Sequence, residues 1–245
     1  MSTEVRSLAG KRALVTGGAK RIGRGLALAL AEAGAQVAIT YRGSVSEAQG
    51  TVADLQSIGV QALAVSCDVR EETSVQAAVA QVIGVFGGLD ILVNNAGAFE
   101  TAPLEKISVA EWDAMFSTNT RGPFLVAKAA YEHLKAAHGR IVNIGSLGGI
   151  HPWATHAHYC TSKAALHMLS QTMAKAWAPE ISVNCVAPGM IVTSEVSAGY
   201  EHFVAKTPMQ RNGRVDDVAA AVLFFATGPQ FITGQLLAVD GGLGL

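Results

Sequence analysis

Along the whole chain, short apolar runs alternate with longer stretches in which apolar residues recur every three or four positions. The runs at 12–16, 36–40, 62–67, 91–94, 141–144, 183–187 and 236–239 are rich in Val, Ile, Leu and Ala, with little apolar–polar alternation. A strand with one wet face alternates; a strand covered on both faces does not. The seven runs therefore predict strands of a parallel sheet with helices on both sides. Helices are predicted between them over 22–33, 46–57, 73–86, 109–135, 159–178 and 215–226, and in the first Ile22, Leu26, Leu30 and Ala33 mark the stripe to be buried. Pro123 brings no backbone donor, so it is expected to distort the long fourth helix near Asn119.

A length of 245 residues fits one large α/β domain or two small ones. No Pro/Ser-rich linker, charge block, low-complexity stretch or internal repeat divides it, so a single domain over 1–245 is expected. Half the residues are apolar, ample for a sizeable core. A net charge of −1 and the lack of a basic, aromatic-interleaved stripe give no reason to expect nucleic acid. No run is long enough to span a membrane, and residues 1–6 lack the apolar core of a signal peptide. Cys67, Cys160 and Cys185 are scattered with no C-x-x-C pair. Their odd number argues against a disulfide framework and for a reducing cytoplasm.

The chemically distinctive residues gather at the ends of the predicted strands. Gly17 follows the first, Arg42 the second, Asp68 the third, Asn94–Gly97 the fourth, Ser146 the fifth and Pro188-Gly189 the sixth. In open parallel α/β sheets those carboxyl ends are where ligands bind. Gly17-Gly18-Ala19-Lys20-Arg21-Ile22-Gly23, between a strand and a helix, makes a dinucleotide cradle although the literal G-x-G-x-x-G is absent. Glycines let the backbone approach a pyrophosphate, and the helix N-terminus offers it unpaired N–H groups. An NAD site wants a carboxylate after the second strand. Here Thr40-Tyr41-Arg42-Gly43-Ser44 offers none and the first acid is Glu47. Arg42, helped by Lys20 and Arg21, suits a 2′-phosphate instead, so NADPH is the expected cofactor.

Tyr159-Cys160-Thr161-Ser162-Lys163, with Ser146 upstream, supplies acid–base chemistry. Carbonyl reduction needs a proton at oxygen, and tyrosine, with a pKa near ~10, is a poor donor unless something tunes it. Lys163, four residues along a helix, shares a face with Tyr159 and is expected to lower its pKa. The hydroxyl of Ser146 is placed to hold the substrate oxygen. His151, His156 and His158 invite a metal reading, but they lack helical i,i+4 spacing and an acidic or thiol partner, and a substrate-lining or surface loop explains them better. Trp153 is expected in the substrate loop. Asp216-Asp217 is read as a helix cap, and Cys160 as a neighbour of Tyr159 rather than a nucleophile.

Together these residues resemble the short-chain dehydrogenase/reductase family from about Lys11 to Gly242. Its T-G-x-x-x-G-x-G motif is met by Thr16, Gly17 and Gly23, and its Asn-Asn-Ala-Gly motif by Asn94-Asn95-Ala96-Gly97. Its catalytic Asn, Ser, Tyr and Lys match Asn119, Ser146, Tyr159 and Lys163; its Pro-Gly is Pro188-Gly189, and its last strand runs from Gly234-Gln235 to Gly241-Gly242. Arg21 departs from the pattern by standing in the place of the middle glycine, as in pteridine-reductase-like members.

The resemblance implies a Rossmann-type doubly wound sheet and a cofactor held by Gly17, Lys20, Arg21, Ile22, Gly23, Arg42, Asp68, Val69, Asn95, Ala96, Gly97, Tyr159, Lys163, Pro188, Gly189 and Thr193. Within that set, Asp68 and Val69 meet adenine and Thr193 the nicotinamide carboxamide. Asn119 would fix a water feeding the proton relay, and a lid over residues 194–212 would cover the substrate. A homotetramer is implied through the helices at 109–135 and 159–178, whose apolar surplus includes Trp112, Phe116, Phe124 and Met173, together with the last strand.

The substrate stays open between a 3-oxoacyl thioester, free or bound to acyl carrier protein, and a pteridine or other small carbonyl. Arg21 leans toward the second; Ser146, where pteridine reductases carry an aspartate, leans away. The turn Pro188-Gly189-Met190-Ile191 favours the thioester. A carrier-docking surface, however, would have only Lys135, Arg140 and Lys175 against Glu132 and Glu180. A nucleotide-sensing protein without chemistry is disfavoured because all four catalytic positions are kept.

Overall fold

Strands with no polar face need cover on both sides, and the computed structural model, which describes residues 7–193 and 199–245, provides it for all but the last strand, which is largely exposed. The strands β1 (Arg12–Val15), β2 (Gln36–Tyr41), β3 (Ala62–Ser66), β4 (Ile91–Asn94), β5 (Arg140–Ile144), β6 (Ser182–Pro188) and β7 (Leu236–Val239) form one sheet in the order β3-β2-β1-β4-β5-β6-β7. Every pairing is parallel. Successive residues of β1 face opposite ways: Ala13 and Val15 enter one apolar layer, Leu14 the other. The first layer is closed by α1 (Arg21–Glu32), α2 (Val45–Ser57) and α8 (Val215–Thr227), through Leu26, Leu30, Leu55, Val222 and Phe225. The second is closed by α3 (Glu72–Phe86), α5 (Gly122–Ala136) and α6 (Ala157–Trp177), through Val79, Val82, Val126, Leu134 and Met173. Burying such side chains contributes about 1.5–3 kcal/mol each.

The chain turns one way from β1 to β2 and the other way to β4, so a crevice opens at the carboxyl ends of β1 and β4. The opposite end of that junction is tied by Asp90. Its carboxylate accepts from the Arg12 amide (3.0 Å), Arg12 Nε (2.6 Å) and Lys11 Nζ (3.2 Å). Burial alone would raise the Asp90 pKa, but these donors outweigh it and hold the carboxyl below its usual value. Its stabilising effect is therefore full above the unfolded pKa near ~4 and is lost as pH falls through the lower folded value. Asp90→Ala, which strands the Arg12 donors, is expected to cost about 2–4 kcal/mol at pH 7. Urea midpoints measured down the acid range should converge with those of the wild type.

The expected long helix over 109–135 is broken in two. It runs as α4 (Val109–Phe116), a single π-helical turn at Ser117–Arg121, and α5 with Pro123 in its first turn. Proline has no N–H to continue the ladder, so the preceding turn widens, as expected near Asn119. A short helix, α7 (Glu201–Val204), lies within the expected lid and had no periodic signal. Residues 194–198 of that lid lie outside the described residues. At α8 the Asp217 carboxylate accepts from the Arg214 amide (2.7 Å) and pairs with Arg211 (2.7 Å), the capping role read for Asp216-Asp217.

Candidate active site

The crevice is a cleft of about 580 Å³. Its floor begins where β1 ends. Thr16 Oγ1 accepts from the amides of Asn95 and Ala96 (3.0 Å each), and Asn95 Nδ2 donates back to the carbonyls of Thr16 (2.9 Å) and Gly17 (3.2 Å). The glycine loop and the Asn-Asn-Ala-Gly turn are thus stitched together. Gly17 has φ +64°, and a Cβ at Gly23 would collide with the Gly17 carbonyl and the Asn95 amide. Arg21 also sits in the left-handed region, at φ +52°. That is a conformation glycine adopts freely and arginine only at a strain of order 1–2 kcal/mol.

Every residue expected to hold the cofactor lines this cleft: Gly17, Lys20, Arg21, Ile22, Gly23, Arg42, Asp68, Val69, Asn95, Ala96, Gly97, Tyr159, Lys163, Pro188, Gly189 and Thr193. Their charges are less uniform than the sequence suggests. Lys20 pairs with Glu47 (3.4 Å), so its ammonium is partly compensated, while Arg42 is exposed and makes no ion pair among the described residues. The Asp68 carboxylate is gripped by Arg70 (2.5 Å), whose hydrogen bond lowers its pKa. Thr193 carries a buried hydroxyl with no partner among the described residues, on the wall of the cleft. A glycine cradle that admits no Cβ, a lone arginine after β2 and an orphaned hydroxyl fit a dinucleotide with a 2′-phosphate.

Tyr159 and Lys163 stand one turn apart on α6, and Ser146 follows β5. Burial pushes the tyrosine up to about 12, and the adjacent Ser146 hydroxyl acts against that rise. Lys163 is buried, its pKa pushed down to about 8 by desolvation, and its Nζ donates to the Ile144 carbonyl (2.8 Å). The expected lowering of Tyr159 by Lys163 is therefore not found: the lysine amine is bonded to backbone, and burial governs the phenol. A neutral phenol is nonetheless able to protonate an alkoxide, which is far more basic than a tyrosinate.

Asn119 does not line the cleft. It is fully buried in the π turn, where Oδ1 accepts from the Ala98 amide (2.8 Å). Its Nδ2 donates to the Ala98 carbonyl (2.9 Å) and to Ser162 Oγ (3.0 Å). Its side chain thus clamps the turn after β4 to the helix carrying Tyr159 and Lys163. His167, a further turn along α6, has Nε2 accepting from the Ser146 amide (3.3 Å).

Sequence reasoning missed Phe99 and Thr118, which also line the cleft, as do Met190 of the expected substrate turn and Tyr200 of the expected lid. Phe99 meets the Tyr159 ring edge-on at 4.8 Å and Trp153 stacks near it at 6.1 Å, so aromatic walls flank the phenol. Trp153 had been placed in the substrate loop by its position; Phe99 follows the Asn-Asn-Ala-Gly turn and carried no periodicity to mark it. Of the three histidines, His156 packs on Phe99 and Trp153 and bonds Thr101 (3.0 Å), His158 is buried, and His151 is exposed. Burial raises the Cys160 thiol, which makes it a reluctant nucleophile.

A family model described as enoyl-(acyl carrier protein) reductase matches residues 17–244. The 3-oxoacyl-acyl-carrier-protein reductase FabG of Staphylococcus aureus is 37% identical over 240 residues, covering 95% of this chain and 98% of its own. A short chain dehydrogenase/reductase of Aspergillus aculeatus, AacuN, is 36% identical over 96% of both chains. Among solved structures, a short chain dehydrogenase from Burkholderia cenocepacia in complex with NADP is 41% identical, with a TM-score of 0.91 over 98% of this chain and all of that one. A blue fluorescent protein from a metagenomic library, in complex with NADPH, matches at 35% identity and a TM-score of 0.92, over 98% of this chain and all of that one. The chain belongs to the short-chain dehydrogenase/reductase family and is an oxidoreductase of that type.

Proposed function

We propose that this enzyme is an NADPH-dependent carbonyl reductase acting on a 3-oxoacyl thioester or a similar β-keto compound. The observation that carries the reading is that Tyr159 and Ser146 line the same cleft as the glycine cradle and Arg42, with the serine beside the phenol and acting to lower its pKa. Two neighbouring hydroxyl donors on one cleft suit an oxygen, which favours a carbonyl over the carbon–carbon double bond that the family model's description would suggest. NADPH supplies the hydride when bound, and its 2′-phosphate would meet Arg42. Ser146 orients and polarises the carbonyl, and Tyr159 delivers the proton to its oxygen. Lys163 would hold the nicotinamide ribose, Thr193 would bond the carboxamide, and Asn119 would keep the relay in place behind the lysine.

For the substrate, the relatives named FabG support a thioester. Arg21 in the glycine position keeps a pteridine or other small carbonyl as the second reading. A panel of acetoacetyl thioesters, β-keto esters and pterins, each with NADPH, separates the two. Thioester analogues are expected to react, and small ones nearly as well as carrier-bound ones because the basic surface is thin. Oxidation of NADPH by pterins alone would overturn the assignment. Among the described residues no helix is long and apolar enough to cross a membrane.

The same reading includes a homotetramer. Val109 (77% exposed), Phe124 and Met168 leave α4, α5 and α6 with apolar surface, and Leu236 and Leu237 do so on β7. Closed symmetric oligomers bury such faces. Light scattering at micromolar concentration should give four times the chain mass; a monomer would refute it.

A further inference from the structure

His167 lies beneath the proposed catalytic serine, and nothing in the mechanism above uses it. It is 8% exposed. Its Nε2 accepts from the Ser146 amide, and the other edge of the ring packs against Gly149. The imidazole therefore spans both ends of the loop that presents Ser146. Two glycines make room for it. A Cβ on Gly145 would collide with His167 Nε2 and come within 2.8 Å of Cys185 Sγ, and a Cβ on Gly149 would sit 2.5 Å from His167 Cε1.

The rest of the loop is fixed less firmly at the serine itself. Ser146 Oγ accepts from the Gly148 amide (3.0 Å), and the Ser146 carbonyl accepts from Gly149 (3.0 Å), but both partners belong to the same short turn. The histidine is the element from outside the loop that grips the Ser146 amide. An acceptor at Nε2 requires the proton on Nδ1, and thus a neutral ring. The groups around it favour that form: desolvation and the Lys163 ammonium push its pKa down to about 4, while the neighbouring Cys185 thiol is itself driven up to about 11 by burial.

We infer that His167 is a positioning residue for Ser146, a neutral imidazole that sets where the serine hydroxyl meets the substrate oxygen. The inference rests on the reading that Ser146 orients the carbonyl. Removing the acceptor leaves a buried amide unpaired while the fold of the cofactor cradle, on the far side of the cleft, is untouched. The loss should appear in turnover and not in cofactor binding.

The test uses the full-length enzyme, NADPH and whichever carbonyl compound the wild type reduces best. His167→Leu is expected to lower kcat by at least ~10-fold, the effect of an unpaired buried donor, with NADPH affinity by fluorescence titration within about twofold. His167→Gln, whose Oε1 can accept from the same amide, is expected to recover most of that loss. In a Ser146→Ala background, His167→Leu should cost almost nothing more, since the hydroxyl it positions is gone. Undiminished kcat in His167→Leu, no recovery with glutamine, or equal losses with and without the serine hydroxyl would each overturn the inference. A Ser146→Ala variant that turns over like wild type would instead overturn the role of Ser146 itself.

Discussion

Tyr159→Phe is expected to leave NADPH binding nearly intact and to remove at least ~99% of turnover. The phenyl ring keeps the edge contact with Phe99 and the packing beside Trp153, so nothing in the cleft collapses. What disappears is the proposed proton donor, the phenol hydroxyl beside Ser146. General-acid catalysis typically contributes 10²–10⁴-fold. Single-turnover rates and cofactor titrations on the same preparation check both halves. A variant with wild-type-like rates would remove Tyr159 from the chemistry.

Arg42→Ala should produce the second large effect, on the choice of cofactor. The wild type is expected to prefer NADPH over NADH by at least ~tenfold, and the variant to lose most of that preference. A charged hydrogen bond to a phosphate is worth roughly 1.5–3 kcal/mol, which corresponds to about ten- to a hundredfold in affinity. The structure concentrates this burden on Arg42, because Lys20 is already paired with Glu47 and no carboxylate lies at the end of β2 to receive a ribose hydroxyl. Glu47 is exposed and its ion pair is weak, so Lys20 turning to the phosphate would soften the loss without abolishing it. Comparable catalytic efficiency with both cofactors in the wild type would sink the assignment.

The parts of this enzyme that the sequence revealed are those where one physical rule acts alone. Strands buried on both faces leave unbroken apolar runs, and all seven appear where such runs lie, with ends shifted by a residue at most. Residues at strand ends are brought together by topology, so the cofactor cleft was legible before any contact was known. Pro123 announced a break in the long helix because a missing donor is a local fact. The rest depends on contacts between distant segments. Lys163 was assigned to Tyr159 by helical spacing, but the backbone of β5, unreadable from spacing, takes its hydrogen bond at Ile144. Asn119 matched a catalytic motif, yet its side chain reaches Ala98 and Ser162, a clamp set by the meeting of two loops and a helix. Phe99 and His167 became visible only when the folded chain placed them against Tyr159 and Ser146. No pattern of 3.6 or 2 residues encodes such a meeting.

The central claim, a reductase whose proton comes from Tyr159 and whose hydride comes from NADPH, is tested most directly by following the absorbance of reduced nicotinamide in the presence of a β-keto ester or acetoacetyl thioester. The account predicts that purified wild-type protein oxidises NADPH in step with formation of the hydroxy product, that NADH serves at least ~tenfold less well, and that the reaction is nearly abolished in Tyr159→Phe. Failure of every ketone and thioester to oxidise NADPH, or product formation at equal rates by the wild type and the phenylalanine variant, would contradict it.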